Sequence, residues 1–147
     1  MLLLSMTFHQ IEFGSDEFHQ ECELRHQVLR VPIGLDLYAE DLSQERSQIH
    51  FGLFDGGAIV ACAIAVALSE TGIKIRQMAV SQKHQGQGHG RRLILSIEDY
   101  FRRKGRNYFT MHARLTAVAF YEKLGYVRTG LEFAEVGLPH IKIEKTF

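Results

Sequence analysis

The chain has 147 residues, 46% of them apolar and 23% charged, so it is long enough to bury about two-thirds of its unfolded surface in one globular domain. Lysine plus arginine balances aspartate plus glutamate at 17 each, which leaves no cationic excess for a general nucleic-acid surface. No apolar run approaches the roughly eighteen residues of a membrane span, and Met1-Leu2-Leu3-Leu4 is too short for a signal core. Two cysteines without metal-ligand spacing are too few for a disulfide framework, so a cytoplasmic protein with reduced Cys22 and Cys62 is expected.

A first strand is predicted over Thr7 to Phe13. Ser15-Asp16-Glu17 reads as a helix start, because side-chain oxygens there accept the free first-turn amides. The stripe Phe18, Cys22, Leu24, Val28 and Leu29 continues that helix until Pro32 and Gly34 end it. The polar stretch Asp36 to Ser47 has room for a short second helix. Ile49 to Phe54, the turn Asp55-Gly56-Gly57 and Ala58 to Leu68 form a hairpin signal. Ala58 to Leu68 is apolar at nearly every position, which predicts a central strand with helices above and below it.

Gly72 turns the chain into a third strand, Ile73 to Val80, which runs into Gln85-Gly86-Gln87-Gly88-His89-Gly90. A helix is predicted from Arg91 to Arg103, with Leu93, Ile94, Ile97 and Phe101 on one face, cations in its last turn and Gly105 ending it. Asn107 to His112 reads as the next strand. Thr116 is expected to cap a short helix reaching Leu124, and Tyr126 to Gly130 and Leu138 to Glu144 to close the sheet. No repeat, low-complexity tract or linker interrupts the order, so residues 1–147 are expected to form a single domain.

Strand, glycine loop and helix start together form an anion-binding arrangement. Glycines let the backbone approach a ligand closely, and the helix's first-turn amides point outward with about half a positive charge behind them. The loop is neither of the familiar nucleotide signatures. A dinucleotide fingerprint starting at Gly86 needs glycine where Arg91 stands, and a P-loop needs Lys-Ser/Thr where Gly90 is followed by Arg91-Arg92.

Gln85, Gly88 and Gly90 instead resemble the acyl-CoA loop of the GNAT superfamily of N-acetyltransferases. Ala117-Val118-Ala119-Phe120-Tyr121-Glu122-Lys123-Leu124-Gly125-Tyr126 resembles the superfamily's second signature, a Phe-Tyr helix followed by glycine and an aromatic residue. The likeness extends from about Ile49 onward. Phe133 to His140 further resembles a Glu-x-Gly-x-Pro-His stretch of one GNAT subgroup. The resemblance implies an α/β fold: a single-domain, mixed, strongly twisted sheet flanked by helices on both faces, with acetyl-CoA wedged where central strands diverge after Val80. Acetyl-CoA is then the co-substrate, with no metal; His84, His89 and His112 show no zinc-type spacing.

By the same resemblance, the backbone of Met78, Ala79 and Val80 pairs with the pantetheine arm, and the amides of Gln85, Gly86, Gln87, Gly88, His89 and Gly90 hold the pyrophosphate. Lys83, Arg91 and Arg92 are candidates for the outer phosphates, since clustered cations beside a helix N-terminus repel one another unless an anion is present. Tyr121 matches the proton donor to the leaving thiolate and also contacts the cofactor. A primary amine is only roughly one part in a thousand unprotonated at pH 7, so a base is needed, with His112, Glu132, Glu135 and His140 as the candidates.

The implied reaction is acetyl transfer to a primary amine of a small molecule or peptide, by direct attack in a ternary complex. Neither cysteine has an activating neighbour in the sequence, which argues against a thiol intermediate. Transfer of another acyl group or to another nucleophile, and a non-catalytic CoA-binding module, stay open as alternatives. Arg25 to Glu45 is expected to border the acceptor pocket. The expected partners are the amine acceptor and, as a homodimer, a second copy of the chain, without nucleic acid or membrane.

Overall fold

The computed structural model describes residues 6–147, and the Met1–Leu4 run lies outside them. Seven strands form one sheet: β1 (Met6–Ile11), β2 (Ile49–Asp55), β3 (Ala58–Ala67), β4 (Gly72–Val80), β5 (Tyr108–Arg114), β6 (Val127–Glu135) and β7 (Leu138–Thr146). Their order is β1-β2-β3-β4-β5-β7-β6, antiparallel throughout except for the parallel pair β4–β5. Three helices pack around it: α1 (Asp16–Arg25), α2 (His89–Arg102) and α3 (Val118–Glu122). Among these residues no helix is long and apolar enough to cross a membrane.

The apolar β3 run does sit in the middle, covered on both faces. Ala61, Ala63 and Ala65 point into a core with Leu93, Ile94, Ile97 and Phe101 of α2, while Cys62 points the other way, onto Leu24 of α1. Strand alternation thus splits one continuous apolar segment between two helices. The β2–β3 turn uses Gly56 and Gly57 at φ 58° and 90°, the left-handed pair a two-residue hairpin needs.

Three local expectations are corrected. The first helix starts where expected, with Ser15 Oγ accepting the Phe18 amide, but after Arg25 it widens into a π turn over His26–Arg30 and then a 3-10 turn over Val31–Ile33. A π turn shifts the helix face, and here it directs Val28, Leu29 and Arg30 toward the cleft described below. No second helix forms between Asp36 and Ser47. Asp36 and Asp41 accept from the Tyr38 and Ser43 amides, local bonds that compete with a helical ladder, and two 3-10 turns result, Leu37–Ala39 and Ser43–Ser47. Thr116 does not cap α3: a 3-10 turn over Leu115–Ala117 precedes it, and the Val118 amide is taken by the Leu115 carbonyl.

The last hairpin is longer than its sequence pattern. Gly130, at φ 79°, lies in an irregularity between Thr129 and Phe133, after which pairing with β7 resumes at Phe133–His140. The Phe133–His140 stretch is therefore the tip of a hairpin. Its turn places Val136 at φ 47° and Gly137 at φ 76°.

A buried ionic network ties α1 to the sheet. Arg25 donates to Glu21 at 2.9 Å and to both oxygens of Glu45 at 2.7 and 2.8 Å. His50 Nδ1 lies 2.9 and 3.0 Å from the Glu21 oxygens, and Nε2 lies 2.8 Å from the Glu45 carbonyl. Both ring nitrogens face acceptors, an arrangement that favours the doubly protonated imidazolium. Burial lowers its pKa, but the Glu21 bond and charge outweigh burial and the net shift is upward. Two buried carboxylates thus meet two buried cations.

Candidate active site

Strands β4 and β5 pair only over Gly72–Lys74 and Tyr108–Thr110. Beyond that point they part, six residues earlier than the expected divergence after Val80. The β4 backbone from Ile75 onward then has no ladder partner on its β5 side. A cleft of about 560 Å³ fills the gap, lined by β4 from Ile75 to Met78, β5 from Met111 to Arg114, the π turn and the β6–β7 hairpin tip.

Backbone strain concentrates at this cleft. Gln77 (φ 56°) and Val136 (φ 47°) are the positive-φ non-glycine residues among those described, and both line it. A left-handed β-branched residue costs on the order of 1–3 kcal/mol, which surrounding contacts must offset. For Gln77 the contacts are visible: its Oε1 accepts from Arg25 Nε at 3.4 Å and Arg30 Nη2 at 3.2 Å. Gln77 and Met78 together oppose Ala63, a bulge that bends the edge of β4 at the cleft wall.

A second hollow of about 570 Å³ continues from the cleft, lined by Met78 to Val80, Gly86, Gly88 to Arg91, Phe120 and Tyr121. The glycines divide their work. Gly86 and Gly88 adopt φ 77° and 83° with open space where a Cβ would stand. Gly90 serves packing instead: a Cβ there would meet Met78 Cε at 2.9 Å, Phe120 Cζ at 3.2 Å and Val80 Cγ2 at 3.3 Å. The Gln85 side chain ties the loop back by donating to the Val80 carbonyl at 3.1 Å, and Gln87 donates to the Lys83 carbonyl at 3.4 Å. His89 lies 3.3 Å from Gln87 Oε1. His84 lines the hollow with a buried Nδ1 that has no hydrogen-bond partner among the described residues. Open left-handed glycines, first-turn amides of α2 and an unpartnered ring nitrogen fit an anionic ligand. Of the three cations considered for outer phosphates, Arg91 lines this hollow, whereas Lys83 and Arg92 line neighbouring depressions.

Cleft and hollow share five lining residues, Val28, Met78, Gln85, Ala117 and Tyr121. Tyr121 is the ionisable one. Burial raises its pKa, so the phenol keeps its proton throughout the neutral range. Its ring is fixed edge-on against Phe120, with centroids 4.9 Å apart, and against Tyr126 at 6.0 Å.

Three of the four base candidates come together. His112 Nδ1 donates to Glu135 Oε1 at 3.0 Å, and His140 Nε2 lies 3.7 Å from Glu135 Oε2. His140 Nδ1 donates to the Leu138 carbonyl at 2.9 Å, which turns Nε2 toward the carboxylate. Glu132 does not join them: it is exposed and outside the lining. Both cysteines are buried free thiols, Cys22 pushed up to about 11 chiefly by burial and Cys62 raised well above its ordinary value by the same cause, so neither offers a thiolate at neutral pH.

Arg30, in the segment expected to border the acceptor pocket, lines the cleft, whereas the sequence pattern missed Arg76, Gln77 and Arg114 as lining residues. Arg114 was within reach of strand alternation, standing two residues after His112 on the same face. Arg25 and Glu45 were expected to border the acceptor pocket and instead lie in the buried network behind it. Glu21, Glu45 and His50 offer ligand atoms within 4.8 Å of one another, but Arg25 already occupies both carboxylates.

Similarity to known proteins agrees with this geometry. The crystal structure of an N-acetyltransferase homologue from Lactobacillus plantarum superposes with a TM-score of 0.86 at 19% identity, over 97% of this chain and 99% of that one. A GNAT family acetyltransferase from Elizabethkingia anophelis with acetyl-CoA bound gives 0.75 at 15% identity, over 97% and 99%. An uncharacterised acetyltransferase of Streptococcus pyogenes is 28% identical over 97 residues, 66% of each chain; the curated relatives are matched over about half to two-thirds of their lengths. Residues 19–147 match the family model for the acetyltransferase (GNAT) domain, and the chain belongs to that family.

Proposed function

We propose that the protein is a single N-acetyltransferase domain that transfers the acetyl group of acetyl-CoA to a primary amine of a small molecule or peptide, by direct attack in a ternary complex. The Glu135–His140 stretch, by its resemblance to one GNAT subgroup, supports membership of that subgroup. The observation that carries the proposal is Tyr121 at the junction of the glycine-loop hollow and the cleft. Bound acetyl-CoA supplies an activated thioester. The free β4 edge from Ile75 to Val80 aligns the arm like an added strand, the Gly86–Gly90 backbone holds the pyrophosphate, and Arg91 meets an outer phosphate. Tyr121 Oη protonates the departing sulfur. Glu135, oriented by His112 and His140, accepts the amine proton, directly or through water.

Two experiments test the two halves. Wild-type protein at a hundredfold excess of CoA over its dissociation constant should gain about 2.7 kcal/mol of stability. Gly88→Val places a branched side chain in the open loop and should abolish that gain while the unliganded protein still melts cooperatively. A folded Gly88→Val protein with the full CoA shift refutes the loop assignment. For the base, Glu135→Gln should lower kcat/KM at neutral pH by about 10²-fold or more, with partial recovery as the pH approaches the amine's own pKa. An unaltered pH–rate profile would place the proton acceptor elsewhere.

A further inference from the structure

The cleft is cationic on a wall that the proposed chemistry does not use. Arg30, Arg76 and Arg114 all line it. Arg30 Nη1 and Arg114 Nη2 donate to one and the same acceptor, the Leu29 carbonyl, at 3.4 and 3.2 Å, so two guanidinium groups converge on a single neutral oxygen. Arg30 has a counter-charge in Glu40, at 2.6 and 3.2 Å. Arg76 approaches Glu45 at 3.4 Å, a carboxylate already held by Arg25. Arg114 has no carboxylate within ion-pair distance among the described residues. Burial and the neighbouring Arg30 charge both lower its pKa.

On this wall and in the network behind it, four arginines, Arg25, Arg30, Arg76 and Arg114, stand against three glutamates, Glu21, Glu40 and Glu45, while a fourth carboxylate, Glu135, lies apart on the hairpin tip. A diamine or polyamine would meet repulsion here. A guanidinium fork, in contrast, matches a carboxylate in shape as well as charge. The negative pole of the cleft is Glu135 beside His112, and His112 and Arg114 are alternate residues of one strand, with Cα atoms about 7 Å apart. Positive and negative poles so close together suit a short zwitterion, ammonium toward Glu135 and carboxylate toward Arg114.

We infer that the acceptor is a short amine that also carries a carboxylate, and that Arg114, with Arg30 beside it, selects for that group. The inference rests on the acetyltransferase function proposed above and specifies its substrate class. Linear ω-amino acids of two to six carbons, compared with their amides and the matching diamines, test it by thiol release from acetyl-CoA and by thermal shift of the CoA-bound protein. At the best chain length the acid should exceed its amide in kcat/KM by about tenfold or more, as expected for a charge-assisted bond, and the diamine should be poorest. Arg114→Gln should erase the acid preference, Arg114→Lys should keep part of it, and Arg114→Glu should favour the diamine. The Arg114→Glu reversal is a gain that misfolding cannot produce, and the CoA shift of each variant reports its fold. Wild-type protein that binds CoA yet treats acid and amide alike in both assays overturns the acceptor class alone. Wild-type protein with no CoA shift overturns the acetyltransferase function and the acceptor class with it.

Discussion

Tyr121→Phe is expected to lower kcat by about 10² to 10⁴ while leaving the CoA-induced thermal shift and the KM for acetyl-CoA near their wild-type values. The phenol is buried at the junction of the two hollows, and burial keeps it protonated, the form a proton donor needs. Its ring packing against Phe120 and Tyr126 survives the substitution, so the fold and the groove wall should survive too. On the proposed role, only the step in which sulfur departs should lose its proton source. The check is single-turnover kinetics with a chemistry-limited amine, beside CoA titration of the same protein. A Phe variant with unchanged turnover would remove Tyr121 from the mechanism, and one that loses CoA binding in proportion to kcat would assign the hydroxyl to binding.

The loop, the Phe-Tyr helix and the central β3 strand were legible because each depends on local chemistry: glycines before a helix, an aromatic pair in a fixed frame, an unbroken apolar run. The His112–Glu135–His140 cluster was half legible. His112, Glu135 and His140 could be named individually, but their meeting depends on the β6–β7 hairpin resuming its register after the Gly130 irregularity, which no pattern within Tyr126–Gly130 announces. The cationic wall was hidden for a different reason. Arg30 lay in the segment expected to border the acceptor pocket, but its route to the cleft through a π turn is one an α-helical stripe does not foresee, and Arg114 lies beyond the predicted end of its strand. Gly90 has a packing role besides, which the motif does not announce, since a Cβ there would meet Met78, Phe120 and Val80.

The largest stability effect should come from Arg25→Met. Arg25 is fully buried and answers Glu21 and Glu45 together, so its loss leaves two buried carboxylates facing one imidazolium and the half-buried Arg76. Removing one partner of a buried ion pair typically costs about 3–5 kcal/mol, a fall in Tm of about 6–20 °C for a domain of this size. The triple variant Glu21→Gln/Arg25→Met/Glu45→Gln should be more stable than Arg25→Met alone, because uncompensated charge, not lost volume, is the penalty. A triple variant no better than the single one would contradict that account. The network also sets a pH window. The Glu45 pKa is lowered by Arg25 against the cost of burial, so its contribution is present above about pH 4.5 and fades as pH falls through the lower folded value. The raised pKa of His50 works in the opposite sense: its contribution is full below pH 6.5 and is lost as pH rises through the higher folded value. Tm measured against pH should therefore decline on the alkaline side in wild type, and His50→Gln should flatten that limb. The same network holds the Gln77 bulge through Arg25 Nε, so Arg25→Met should also loosen the β4 wall of the cleft and weaken CoA binding in step with the Tm loss.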